Sequence, residues 1–339
     1  VNKLASGLPI AFLGLVVSLL MAEVVSRYIM PLAPGAKLLG AGGHEESLFS
    51  EPSRIAPSLN LTQVAPEFAV RLTTTVLGYR GPDAGASPEV VFIGDSFTFG
   101  TGLTDAETIS SLYCEGKQIQ CANLGVPGSG TVVQINTLER FLVQHEWRPK
   151  TVIIMPLMMT QALFAGNDLE DNLQYSAATA ALDGDRQSES IAANIQRWAI
   201  KRSNLARLIK FRMGSVLRNF ITPKFDAERL QQALKETTRQ FDRLRTLACM
   251  YSFQIRVVLL HPMQSIARNF SSETLSRVQG AIPWLHIEDT AALFLPDPNR
   301  FYYSFDGHFN SHGSLLVANY LRQVDAPITE LDCRPGKEG

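Results

Sequence analysis

The sequence predicts an α/β domain built on a parallel sheet with helices on both faces, carried behind one membrane-spanning helix. Three observations predict it. Short β-branched runs alternate with amphipathic segments from Glu89 onward, the pattern of strands buried on both faces. One N-terminal apolar run is long enough to span a bilayer. The composition is globular: 45% hydrophobic, with 31 Lys+Arg against 32 Asp+Glu in 339 residues, a formal net charge of −1. That balance supplies no concentrated basic face, so nucleic-acid binding is not expected. Four Cys in a chain rich in apolar residues exclude both a disulfide-dense miniprotein and a disordered chain.

Leu4 to Ala22 runs 19 residues without a charge, between Lys3 and Glu23. As a helix it covers about 28 Å, close to the hydrocarbon thickness of a bilayer. A cleaved secretory signal is the competing reading, but its apolar stretch would be shorter and no A-x-A site follows. The expectation is an uncleaved signal anchor over 1–27, with Lys3 cytoplasmic and everything after Arg27 across the membrane, in a bacterial periplasm. Residues 28–88 are Pro- and Gly-rich with little periodicity, which suits a stalk ending in an irregular or short-stranded domain entry.

The domain proper is expected over 89–325. Glu89–Ile93 reads as a strand, Thr108–Cys114 as a helix, Gln118–Asn123 as a strand and Val132–His145 as a helix. Lys150–Met155 is a third strand, Asp226–Met250 a long helix, and Gln254–Leu260 a fourth strand. A short fifth follows at Trp284–Ile287, then a closing helix over Gly313–Val324 and a tail over 326–339. The region 171–223 breaks the alternation and reads as a lid-like insertion. Within it Ile195–Phe220 carries Arg197, Lys201, Arg202, Arg207, Lys210, Arg212 and Arg218 with no acid, and apolar residues at helical spacing. The plain reading is an outer helix with a solvated charged face. The sharper one is contact with anionic headgroups or an anionic glycan.

An oxidising compartment allows disulfides, and of the three connectivities open to four Cys the favoured one pairs Cys114 with Cys121 and Cys249 with Cys333. Buried free thiols are the alternative. No Cys spacing fits a zinc site.

Chemistry concentrates where strands end. The strand before Gly94 runs straight into Asp95, Ser96, Phe97, Thr98, Phe99 and Gly100. A serine just beyond a strand, with a helix starting after it, can project its hydroxyl into a cleft beside free N–H groups. The GxSxG elbow is absent, because Thr98 stands where the second Gly should be. Near the C-terminus Asp306-Gly307-His308 puts a carboxylate two residues from an imidazole, able to hold the tautomer that accepts a serine proton. Oxyanion donors are sought in the Ser96 N–H, in Gly128 of NLGVPGSGT after the second strand, and in Asn167 of GNDLEDN after the third.

These four blocks, GDSFTFGTG with Ser96, NLGVPGSGT with Gly128, GNDLEDN with Asn167 and DGHFNSHG with His308, resemble the SGNH (GDSL-like) hydrolase family over roughly Glu89 to Leu321. The resemblance implies a flavodoxin-like three-layer sandwich. It implies Ser96 as nucleophile, His308 as base, Asp306 as its orienting acid, and an oxyanion hole from Ser96, Gly128 and Asn167. It also implies ester hydrolysis or acyl transfer with neither metal nor cofactor. Only Gly307 separates Asp306 from His308, where many members have two residues; the shorter form is similar to polysaccharide O-acetyltransferase relatives. Asn167 follows Met155 by twelve residues, a longer connection than the family's usual one.

The expected partners are an acyl ester, O-acetyl on a cell-envelope glycan being one candidate, and the membrane. The rival from another class is an accessory subunit that keeps the fold and docks on a membrane complex without turnover. His312 reads as a helix-start residue and His261 as structural. Asp168, Glu170 and Asp171 read as helix-capping, solvent-facing acids rather than metal ligands. Met155, Met158 and Met159 read as core.

Overall fold

A computed structural model of the protein describes residues 2–29, 36–85, 87–157, 168, 169, 172, 202–206, 227–263, 266, 271–304, 306–324 and 333. The chain forms two compact units, one of residues 1–36 with 186–222, the other of residues 37–185 with 223–339.

The first unit is organised by helix α1, Asn2–Ile29. Its described side chains begin at Leu13, and Leu13, Leu20, Met21 and Val24 are all exposed. Among the described residues no helix is long and apolar enough to cross a membrane; the run expected to do so, Leu4–Ala22, lies within α1, with side chains described only from Leu13 on. Of the basic stretch only residues 202–206 are described. They meet α1 at Glu23, whose carboxylate accepts from Ser203 Oγ and from the N–H groups of Asn204 and Leu205, each at 2.8 Å.

The second unit holds a five-stranded parallel sheet in the order β10-β9-β8-β6-β7. Its strands are β6 (Val90–Gly94), β7 (Cys121–Asn123), β8 (Thr151–Met155), β9 (Gln254–Leu259) and β10 (Ile287–Asp289). Alternation decides which face each side chain fills. Val91, Ile93, Val152, Ile154, Ile255 and Val257 point into one core. Helices α4 (Thr131–Gln144), α5 (Ala227–Tyr251) and α6 (Ser271–Ala281) cover it through Leu138, Leu244 and Val278. Val90, Phe92, Ile153, Met155 and Val258 point into the other, covered by α3 (Ile109–Lys117), α7 (Ala291–Phe294), α8 (Pro298–Phe301) and α9 (Ser311–Gln323) through Ile109, Phe294, Phe301, Val317 and Leu321. The expected three layers are therefore present.

Two strands start three residues later than expected, the others within one residue of their expected start. β7 starts at Cys121, because Gln118 is a left-handed cap at φ 55° whose N–H closes α3 onto Cys114 and Glu115. β10 starts at Ile287, with Pro283 and Trp284 in a turn before it. The cysteines pair as favoured, Cys114 with Cys121 and Cys249 with Cys333.

The segment expected to be a stalk is, from Lys37 on, part of the same compact unit. It forms an antiparallel sheet of β1 (Lys37–Leu39), β4 (Asn60–Ala65) and β5 (Phe68–Thr73), ordered β1-β4-β5, and a ribbon of β2 (Phe49–Glu51) and β3 (Arg54–Ile55). Leu48, Ile55, Leu61 and Leu72 from this module share a core with Phe99 and Val126. Phe99 closes the four-residue helix α2 (Ser96–Phe99), so the module packs directly beneath that helix.

Candidate active site

β6 delivers the chain to Asp95, which caps α2 by accepting the Phe97 N–H at 2.9 Å. The Asp95 carboxyl is fully buried, and its second oxygen has no hydrogen-bond partner among the described residues. Burial pushes its pKa up to about 6, against the lowering pull of the Phe97 N–H and of charge on His308. Ser96 follows as the first residue of α2, half-buried, its hydroxyl directed at the imidazole of His308.

His308 is held by a tight reversal of the chain. Tyr303 N–H donates to His308 O at 2.8 Å and Gly307 N–H returns to Tyr303 O at 3.0 Å. Gly307 sits at φ 86°, a left-handed conformation that lets the Asp306 side chain fold back over the ring two residues on. Asp306 Oδ1 is 2.5 Å from His308 Nδ1, and His308 Nε2 is 2.7 Å from Ser96 Oγ. With Nδ1–H donating to the carboxylate, Nε2 is left as the acceptor for the serine proton. The Phe97 ring packs against the imidazole at 4.8 Å, and Phe309 against Phe97 at the same distance. The structure thus brings Ser96, His308 and Asp306 into one hydrogen-bonded chain.

The Gly128 loop is fastened to the end of β6: Leu124 N–H donates to Phe92 O at 2.8 Å and Val126 N–H to Gly94 O at 2.9 Å. Gly128 itself is exposed at φ 72°, with open space where a Cβ would stand. Asn167, with Glu170, Asp171, Met158 and Met159, lies outside the described residues. Asp168 corrects the sequence reading. It does not face solvent; it is fully buried, accepting from Thr131 Oγ1 at 2.8 Å, Gln134 Nε2 at 3.0 Å and Leu157 N at 2.7 Å. Its carboxylate knots the end of β8 to the start of α4, and the excess of polar donors around it makes the burial tolerable.

His312 is exposed in the first turn of α9, where its N–H donates to the capping Asn310 side chain at 3.0 Å. His261 is buried, its Nε2 2.6 Å from Asp289 Oδ1. Burial pushes the Asp289 carboxyl up, but the bond and charge of His261 outweigh it and leave the pKa lowered. Among the described residues no group of three His, Cys, Asp or Glu could hold a metal.

Sequence reasoning missed the residues that brace the Ser96 loop. The Arg80 side chain is buried, with Nε 2.6 Å from Asp105 Oδ1 and Nη2 donating to Leu103 O at 2.6 Å. Asp105 also accepts the N–H of Thr73 at 3.1 Å and its hydroxyl at 2.7 Å. Gln63 Oε1 accepts the Gly102 N–H at 2.8 Å. None has a local signature, since each partner lies tens of residues away. Asp95 did have one: an Asp between a strand and a helix is a capping signal. A cavity of about 540 Å³ lies beside this brace, lined by Arg80, Asp105, Ser110, Glu115 and Asn123, and does not include the triad residues.

No family model matches the chain, and no curated protein matches it. Solved structures similar to it include the following three. One is a protein assigned to the G-D-S-L lipolytic family from Desulfitobacterium hafniense DCB-2, 17% identical, covering 69% of this chain and 97% of its own, with a TM-score of 0.36. A second is LAE5, an alpha/beta hydrolase enzyme from the metagenome of Lake Arreo, Spain, 12% identical over 70% of this chain and 95% of its own, with a TM-score of 0.36. The third is a carbohydrate esterase whose active site displays divergent catalytic and non-catalytic binding functions, 13% identical over 85% of this chain and 84% of its own, with a TM-score of 0.39. At such identities and TM-scores the chemistry has to be read from the site itself.

Proposed function

We propose that the protein is a serine ester hydrolase or O-acyltransferase of SGNH type, anchored by α1 to a bacterial inner membrane with its second unit in the periplasm. The observation that carries the reading is the chain of contacts from Ser96 Oγ through His308 to Asp306. Ser96 Oγ attacks the acyl carbonyl as His308 Nε2 takes its proton, and the Asp306 carboxylate stabilises the imidazolium that forms. The tetrahedral oxyanion is met by the N–H groups of Ser96 and Gly128 and by the Asn167 amide. Collapse passes the proton from His308 to the departing alcohol and leaves an acyl-Ser96. Water or a sugar hydroxyl, deprotonated by His308, then resolves it. No step calls for a metal or cofactor. An O-acetyl ester on a cell-envelope glycan is the substrate class proposed.

The purified chain should hydrolyse p-nitrophenyl acetate, and Ser96→Ala should abolish turnover. A glycan acceptor that raises product release while itself becoming acylated identifies a transferase; release unaffected by any acceptor identifies a hydrolase. Failure to turn over acetate or longer-chain esters sinks the reading. The exposed apolar side chains of α1 and the two disulfides support the anchored, oxidising location. A reporter fused after Gly339 should be active only outside the cytoplasm, and cytoplasmic activity overturns that part.

A further inference from the structure

The loop that carries Asp306 and His308 is gripped by an element that is not part of the parallel sheet. β4 and β5 pair with Ala65 opposite Phe68, so Pro66 and Glu67 form a two-residue hairpin turn. At that tip the Glu67 carboxylate spans the apex of the His308 loop. Its Oε1 accepts the Ser304 N–H at 2.7 Å and its Oε2 the Asp306 N–H at 2.9 Å. We propose that Glu67 is a positioning residue for the Ser96 site, fixing through the Ser304 and Asp306 backbone where the Asp306 carboxylate, and with it the His308 ring, comes to rest. The inference rests on the triad reading above and adds a residue to it.

Three observations lead there. Gly307 N–H is already satisfied within the loop by Tyr303 O, whereas the Ser304 and Asp306 N–H groups find their acceptors on Glu67. Ser304 is exposed, so water could satisfy its N–H equally well. What a carboxylate adds is a fixed position, because two charge-assisted bonds from one planar group define direction as well as distance.

The same hairpin also holds the opposite loop. Gln63, four residues before Glu67, accepts the Gly102 N–H, and Gly102 O accepts the Tyr303 hydroxyl at 2.8 Å. The Phe68 ring packs on Tyr303 at 4.9 Å. Gly102 lies just past α2, which begins with Ser96, and Tyr303 opens the His308 loop. One rigid hairpin is therefore bonded to both halves of a site whose serine and histidine are 212 residues apart. Catalytic geometry tolerates displacements of only about 0.5 Å, and a misplacement near 1 Å costs on the order of 10²-fold in rate. A clamp contacting both loops supplies that tolerance.

The test compares kcat and KM for p-nitrophenyl acetate, and the rate of fluorophosphonate labelling, in the full chain. Glu67→Ala should lower kcat and the labelling rate by about 10- to 100-fold, with KM within about twofold, while water takes over the N–H groups of exposed Ser304 and half-buried Asp306 and the fold persists. Glu67→Gln keeps one acceptor oxygen on the same stem but turns an amide NH2 toward the other N–H donor, so its rate should fall between those of Glu67→Ala and wild type. Arg71→Ala, which removes an exposed contact to Asn60 in the same hairpin, should change nothing. A folded Glu67→Ala with wild-type kcat and labelling overturns the proposal, as does a loss that appears in KM alone. If Glu67→Ala does not fold, Glu67→Asp decides, since it withdraws the carboxylate by one methylene at constant charge; a wild-type rate there overturns the proposal. A wild-type chain that takes no label, or labelling that survives Ser96→Ala, overturns the triad reading itself and this inference with it.

Discussion

The Oγ of Ser96 lies 2.7 Å from Nε2 of His308, and the other ring nitrogen of that histidine lies 2.5 Å from Asp306. The arrangement makes the tautomer of His308 depend on one carboxylate. Asp306→Asn keeps the volume but presents an amide N–H to Nδ1, so Nδ1 becomes the acceptor and Nε2 carries the hydrogen. It can then no longer take the serine proton. The expected loss is about 10⁴-fold in kcat at an unchanged melting temperature. Retention of a tenth of the activity would mean that Asp306 does not orient the ring.

Asp95 supports a prediction with opposite signs for stability and rate. Its folded pKa of about 6 is raised above the ordinary 3.8 by burial. A raised carboxyl contributes stability that is fully present below its unfolded pKa and lost as pH climbs through the folded one. The loss is about 3 kcal/mol for a shift near two units. Asp95→Asn, which still caps α2, should therefore be more stable than wild type at pH 8, with the advantage shrinking toward pH 3. Because the Asp95 charge and His308 attract each other, the same variant should turn over several-fold more slowly at pH 8. Denaturation midpoints that differ equally at both pH values would refute the titration.

Arg80 and Asp105 test the brace beneath α2. Arg80 has no exposed side-chain surface, whereas Asp105 keeps about a quarter of its own. Removing the acid leaves a buried guanidinium without its counter-charge; removing the base leaves a carboxylate that water can reach and that Thr73 still bonds. Asp105→Asn should cost about 3–5 kcal/mol in urea unfolding, and Arg80→Met less. The reverse order would show that the brace acts through packing on Phe99, over which the guanidinium sits at 4.8 Å.

Much of this site was legible because its carriers are local. The run Val90–Gly94 is apolar on both faces, and Asp95–Ser96 and Asp306–His308 stand at the ends of recognisable elements. The module from Lys37 to Thr73 was only partly legible. Its strands are short, and Leu61 and Leu72 are buried by Phe99 and Val126, which lie well downstream in the chain. Glu67 could not be read at all: it is a turn glutamate whose partners are backbone N–H groups 237 and 239 residues away. Asp168 misled for a related reason, since an acid in a polar run looks solvated until Thr131 and Gln134 are folded onto it.

Asn167 carries the last prediction. The residue after it, Asp168, is tied by its carboxylate to Thr131 and Gln134 of α4 and to Leu157 N, and by its own N–H to Leu157 O at 2.9 Å. α4 begins just beyond the Gly128 loop, so this knot fixes the chain beside a second proposed oxyanion donor. The proposed reading gives the Asn167 amide to the oxyanion. If its amide meets the oxyanion, Asn167→Ala should cost about 2.7–4 kcal/mol in transition-state stabilisation, a 10²- to 10³-fold fall in kcat with little change in KM. Asp168→Ala, which unties the knot without touching the amide, should lower kcat in parallel and also the unfolding midpoint. An Asn167→Ala enzyme within threefold of wild type would leave the oxyanion to the Ser96 and Gly128 N–H groups alone. Gly128→Ala, strained at φ 72°, would then be the costlier substitution.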